Sequence, residues 1–135
     1  MTHTTISHNF VELAATLGLH LVTYALPNPF QADLSVRGNR KSDHEITVFI
    51  QTDSLAETAS QVLHWHNTLQ NPDVTLTGET DLDSPKIGIN GKIANNATIF
   101  VTAILPPDTV DEYRAQTIAG AAVITWLHIA AQGGK

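Results

Sequence analysis

A chain of 135 residues with 42% hydrophobic and 15% charged positions has the size and make-up of one folded domain, and lacks the high charge of a disordered segment. The absence of cysteine removes disulfides, zinc–thiolate sites and a thiol nucleophile, and fits a reducing, cytoplasmic setting. A net charge of −6 weighs against nucleic acid as the partner, because phosphate is held largely by Lys and Arg.

The N-terminal stretch MTHTTISHNF has no basic region leading into an apolar run, so no secretory signal is expected. Asn9 with Glu12 has the spacing of a capping box, which predicts a first helix ending near Gly18. LHLVTYA (19–25) reads as a strand stopped by the turn PNPF. Leu34 and Val36, then Ile46, Val48 and Ile50, alternate with period two, the pattern of half-buried strands. The turn between them, RGNRKSD, gathers Arg37, Arg40 and Lys41.

Ser54 with Glu57 opens a second helix, expected to end near Asn71-Pro72. Alternation resumes at Val74 and Leu76, at Ile87, Ile89 and Ile93, and at Ile99, Val101, Ala103 and Leu105. The three isoleucines keep phase across Asn90-Gly91, so one strand is read there, with its turn at Asn95-Asn96. Thr109 with Glu112 opens a closing helix over 108–132, stopped by Gly133-Gly134. Its apolar run IAGAAVITWLHIAA (118–131) is about six residues short of a membrane span and reads as a buried helix, with no membrane partner.

Together these elements predict a single α+β domain over 1–135, with an antiparallel sheet of about six strands and three helices mainly on one face. Similar patterns recur at spacings of 52 to 55 residues: TL, VT, LSVRG against IGING, and the boxes at Ser54 and Thr109. They outline a tandem helix–strand–strand–strand repeat with halves 7–52 and 53–106. The order helix–three strands–helix resembles double-stranded RNA-binding domains in topology alone. Those domains present lysines at the second helix, where TDSLAETASQ (52–61) is acidic and neutral, so their function is not carried over.

His64 and His66 flank Trp65 in QVLHWHNTLQ. On a helix, residues two apart point about 200° apart, so the two rings do not chelate one metal. Against the stripe Leu55, Ala59, Val62, Leu63 and Leu69, His64 lies opposite and His66 falls in the middle. His66 is therefore read as a core histidine. His128 is read as a second, sharing a face with Val110, Tyr113, Thr117, Ala121 and Ile124. Their burial predicts stability that falls as acid forces the rings to charge. No third ligand stands at a telling spacing, and no metal or cofactor is expected.

The closing helix is apolar nearly all round, with Gly120, Ala121 and Ile124 on one side and Ala115, Ala119, Ala122, Trp126 and Ile129 on the other. A helix of this kind needs cover on two sides, and the second side is read as a homo-oligomer interface. The outward sheet face carries Thr47, Phe49, Thr75, Asn90, Lys92, Thr98, Phe100 and Thr102. Arg37, Arg40, Lys41, Phe49, Lys92 and Phe100 are its candidate contacts for a small anionic ligand, or for a nucleotide or single strand. Nucleophile-elbow, phosphate-loop and dinucleotide motifs are absent, so no catalytic residue is assigned. The sequence thus points first to a non-catalytic interaction protein: an adaptor, inhibitor or structural subunit acting as a homo-oligomer, with a protein partner. A ligand binder comes second, and a small enzyme using His66 or His128 third.

Overall fold

The computed structural model describes residues 2–27, 29–36, 44–78, 84–94, 97–105 and 117–133, with side chains in the first helix from Phe10 onward. In chain order the elements are α1 (Thr2–Thr23), β1 (Gln31–Val36), β2 (His44–Ile50), α2 (Leu55–Thr68), β3 (Gln70–Thr77), β4 (Lys86–Lys92), β5 (Thr98–Ile104), β6 (Thr117–Ala119) and α3 (Ala121–Ala131). The six strands form one sheet in the order β1-β2-β5-β4-β3-β6, and the fold is α+β, as the alternation and helical periods predict.

One expectation about the sheet is corrected. It is mixed, because β2 and β5 pair in parallel while every other pair is antiparallel. The physical reason is connectivity: α2 carries the chain from β2 over to β3, and β4 and β5 then fold back by antiparallel pairing to meet β2. Parallel neighbours require such a crossover and cannot be joined by a hairpin.

Side chains alternate across the strands. One face buries Ile46, Val48, Ile50, Val74, Leu76, Ile87, Ile89, Ile99, Val101 and Ala103. Helix α1 lies by β1 and β2, α2 by β2 and β5, and α3 beside α2 and by β3 and β6. Their inward residues are Leu13, Leu17 and His20 from α1, Ala59, Val62, Leu63 and Trp65 from α2, and Val123, Leu127 and Ala130 from α3.

Four helix boundaries differ from those predicted: both ends of α1, the end of α2 and the start of α3. Asn9 lies inside α1, and the segment read as the strand 19–25 is helical through Thr23. Leu13, Leu17 and His20 keep the 3.6-residue period across Gly18, whose glycine costs only about 1 kcal/mol in a helix interior. The true stop is a Schellman motif. Leu26 N–H donates to the Leu21 carbonyl at 2.9 Å and Ala25 N–H to that of Val22 at 3.2 Å. Ala25 takes the left-handed conformation at φ 51°, a position usually held by glycine.

Helix α2 starts as expected, with Ser54 as N-cap accepting from Glu57 N–H at 3.1 Å. Thr52 Oγ1, rather than the Glu57 carboxylate, accepts from the Ser54 N–H at 3.3 Å. The helix ends at Thr68, and β3 already begins at Gln70, with a bulge at Asn71 (φ 50°) and a register shift before Asp73. Gly91, inside β4, makes that junction possible: a Cβ there would meet Leu69 Cβ at 3.1 Å.

The closing helix is shorter than the expected 108–132. Residues 117–119 form β6, an edge strand on β3, and Gly120, at φ 72°, turns the chain into α3 at Ala121. Gly120 N–H donates to the Val74 carbonyl at 3.0 Å. The sheet edge thus claims backbone groups that a longer helix would have used internally. The Thr109–Glu112 box lies outside the described residues. Among the described residues the first half contributes two strands, β1 and β2, where the tandem reading expects three.

Because an L-residue in the left-handed region is disfavoured by roughly 1–2 kcal/mol, exposed Ala25 is a strained cap. Replacing it by glycine, Ala25→Gly, is expected to stabilise the protein by about 0.5–1 kcal/mol, the glycine's extra unfolded-state entropy offsetting part of the relief. A raised urea midpoint at unchanged m-value is the readout.

Candidate functional site

The residues proposed for ligand binding fall in two places. Arg37, Arg40 and Lys41 lie outside the described residues. Phe49, Lys92 and Phe100 stand half-buried on the sheet face that the helices leave open. In register, Thr47 faces Phe100 and Phe49 faces Thr102, so the two rings are diagonal neighbours across β2 and β5. Phe100 continues to Asn90 on β4 and Asp73 on β3, while Thr102 continues to Gly88 and Thr75. Lys92 Nζ donates to Thr98 Oγ1 at 3.1 Å.

The histidines are placed differently from the expectation. His64 is exposed as predicted, and its Nε2 lies 3.0 Å from the Tyr24 carbonyl. A donated N–H there satisfies a carbonyl that the end of α1 leaves open. His66 is only half-buried and lines an open cleft of about 520 Å³ with Pro72, Asp73, Val74, Gly120, Ala121 and Ile124. Trp65 occupies the centre of the stripe instead, at 0% exposure. The inward direction of α2 is set by Thr58, Ala59 and Val62, one residue back from the direction the sequence suggested. His128 is exposed, opposite Val123, Leu127 and Ala130. Neither is a core histidine.

The buried histidine between helices is His20, which the strand reading of 19–25 concealed. Thr68 Oγ1 donates its proton to the Trp65 carbonyl at 2.8 Å. The same oxygen, 2.8 Å from His20 Nε2, must then accept, which fixes neutral His20 as the Nε2–H tautomer. Its ring stacks on the Trp65 indole with centroids 5.7 Å apart and lies 4.8 Å from Tyr24. The relay locks α1 against α2, beside a hollow of about 190 Å³ lined by Thr16, Thr23, Tyr24, Thr68 and Gln70. Burial holds the His20 pKa below its ordinary value of 6.5. Trp65 Nε1 and His44 Nε2 are buried with no hydrogen-bond partner among the described residues. No grouping of His, Asp and Glu among the described residues suits a metal ion.

The interface candidates on the last helix are partly uncovered. Ala119, Ala122 and Ile129 are exposed, Trp126 is half-buried, and Ala115 lies outside the described residues. A second surface, unforeseen from sequence, lies on α1. Val11, Ala15, Gly18, Leu19 and Val22 are all exposed, Val22 at 78%, directly opposite the buried Leu13, Leu17 and His20. A readable signal did exist. Glu12 is the only charged residue before Asp33, and none lies between Arg114 and Lys135. Between these helices, α2 exposes the polar row Glu57, Ser60, His64 and Asn67.

Among the described residues no helix is long and apolar enough to cross a membrane. Comparison with protein-family models, with curated proteins and with solved structures gives no match.

Since His20 is harder to protonate in the fold than in the unfolded chain, acid favours unfolding. Its contribution to stability is intact above 6.5 and declines as pH drops below that value. Urea midpoints taken from about pH 8 down to about pH 5 should therefore fall more steeply for the wild type than for His20→Gln. Parallel profiles would contradict the assignment.

Proposed function

We propose that the chain is a non-catalytic interaction subunit that works as a homo-oligomer, its copies meeting through the outer faces of α1 and α3. The observation that carries this reading is the mainly apolar solvent side of both helices, which among the described residues exposes no Asp, Glu, Lys or Arg and, on α3, only Thr125 and His128 as polar groups before the C-cap. Val11, Leu19 and Val22 on α1 and Ile129 on α3 are large hydrophobic residues left in water. Covering each is worth roughly 1.5–3 kcal/mol when complete. The exposed ridge residues of α1 and α3 include no Asp, Glu, Lys or Arg among the described residues, so ionic desolvation on contact falls mainly on Glu57 in the α2 row between them. Between the larger residues, Ala15 and Gly18 are small, and a Cβ on Gly18 would meet nothing within 4 Å among the described residues. A facing helix has room to approach to about 8 Å.

A stable contact covers about 800 Å² on each partner, more than a single helix face offers. The reading therefore uses both apolar ridges, with the polar row of α2 between them giving register. Two-fold closure is the commonest way for one surface to meet itself. The cysteine-free composition suits a subunit of the cytoplasm.

Native mass spectrometry with light scattering tests this directly. The wild type should be a dimer or higher oligomer at micromolar concentration. Leu19→Lys with Val22→Glu, both at exposed positions, should give monomers whose thermal unfolding is little changed. A wild type that is monomeric throughout that range would refute the reading.

A further inference from the structure

The open sheet face carries a glycine that the fold does not explain. Gly88 stands in the middle of β4, paired with Thr75 on one side and Thr102 on the other. Its φ lies outside the left-handed region, and among the described residues a Cβ there would meet only Thr75 Oγ1, at an ordinary 3.6 Å. Neither backbone conformation nor close packing calls for glycine, unlike Gly91 three residues on. Glycine inside a strand weakens it and often marks a place where a ligand comes close to the backbone.

Around Gly88 the missing side chain leaves a trough of about 300 Å³, walled by Asp73, Thr75, Asn90, Phe100 and Thr102. That is the lower end of small-molecule sites. At Asp73 and Asn90 it continues into a second hollow of about 310 Å³ reaching Gln70, Lys92 and Thr98, room for a second unit of similar size.

The wall chemistry selects the occupant. Each threonine hydroxyl donates and accepts, the Asn90 amide does both, and the Asp73 carboxylate accepts twice. Such a set matches a ligand whose hydroxyls are themselves donors and acceptors on adjacent carbons. Phe100, half-buried between them, supplies a flat apolar plate whose negative face attracts the polarised C–H groups of a sugar ring. Charge along the groove is balanced rather than basic, with Lys92 in the second hollow set against carboxylates. Asp73 stands inside the trough and Asp33 on the same cross-strand row, beyond Thr47, and both oppose a phosphate. A wholly apolar segment would strip water from Asp73 and Asn90 without replacing their hydrogen bonds.

We propose that this trough is a binding site for a neutral saccharide, one ring lying on Phe100 over Gly88 and a second reaching toward Lys92. The site is on the opposite side of the sheet from the helices, so it shares no residue with the proposed contact between copies of the chain.

The test is amide NMR of the full chain titrated with cellobiose, maltose and N,N′-diacetylchitobiose. At least one should move the amides of Gly88, Asn90 and Thr102 in a saturable way. Gly88→Val, which the backbone accepts and strand preference favours, should fill the trough and weaken binding at least about tenfold while leaving the melting temperature equal or higher. Phe100→Leu should weaken it comparably, which guards against a folding defect in the glycine variant. The proposal is overturned if none of the three sugars moves these amides, if Gly88→Val binds as the wild type does, or if single-stranded oligouridylate occupies the face instead.

Discussion

Everything in this molecule hangs on the parallel seam between β2 and β5. One side of the seam is the β1–β2 hairpin, the other is the β3–β4–β5 meander with β6 at its edge, and only this row of backbone bonds joins them within the sheet. Ile46, Val48 and Ile50 meet Ile99, Val101 and Ala103 across it, all buried. No local turn brings these strands together, so the contact joins segments separated in sequence by α2, β3 and β4. Such non-local pairing is slow to form because its loop entropy is lost before its contacts are gained. Helix α2 lies by both strands of the seam and is itself held by α1 through the His20–Thr68–Trp65 relay and by α3 through apolar packing.

That arrangement explains which histidine is buried. The rotation of α2 places Trp65 inward at the centre of the helical layer, and the polar group stacked on the indole is the imidazole of His20. A neutral ring serves this position: it packs as a flat apolar body, and one N–H is satisfied by the Thr68 hydroxyl. His66, one step round the helix, is left at the rim of a cleft, and His64 reaches the open carbonyl at the end of α1.

Much of this was legible from the amino-acid order, and the misses share a cause. Period-two alternation located β1 to β5, because each buries one face only and the alternation survives any change of neighbour. The Ser54 cap was equally readable, being settled within four residues. What failed was decided by contacts distant in sequence or by an atypical residue. Ala25 holds a left-handed cap that usually announces itself as glycine, so α1 was stopped at Gly18 and His20 was hidden in an imagined strand. The edge of β3 captures Thr117–Ala119, which no local pattern could show. The parallel seam follows from connectivity through α2, which alternation does not encode. Phe49 and Phe100 were read onto the outward sheet face, where the structure places them, whereas the position of Gly88 between Thr75 and Thr102 emerges only once the register is known.

The two faces of the sheet are built to opposite specifications. The helical side ends in apolar ridges on α1 and α3, whereas the bare side is set with hydroxyls, an amide, a carboxylate and two phenylalanine rings. If copies join through the helices, their bare faces point away from one another, and each assembly presents its troughs outward in a fixed relation. A single shallow saccharide site binds weakly, since few groups make contact and water competes for every hydroxyl. Linking sites can raise overall avidity by about 10²–10⁴ without any new contact, provided the ligand spans them. On the two proposals taken together, self-association through the helices and recognition through the polar sheet would be two parts of one device, in which assembly would supply the affinity that each trough lacks.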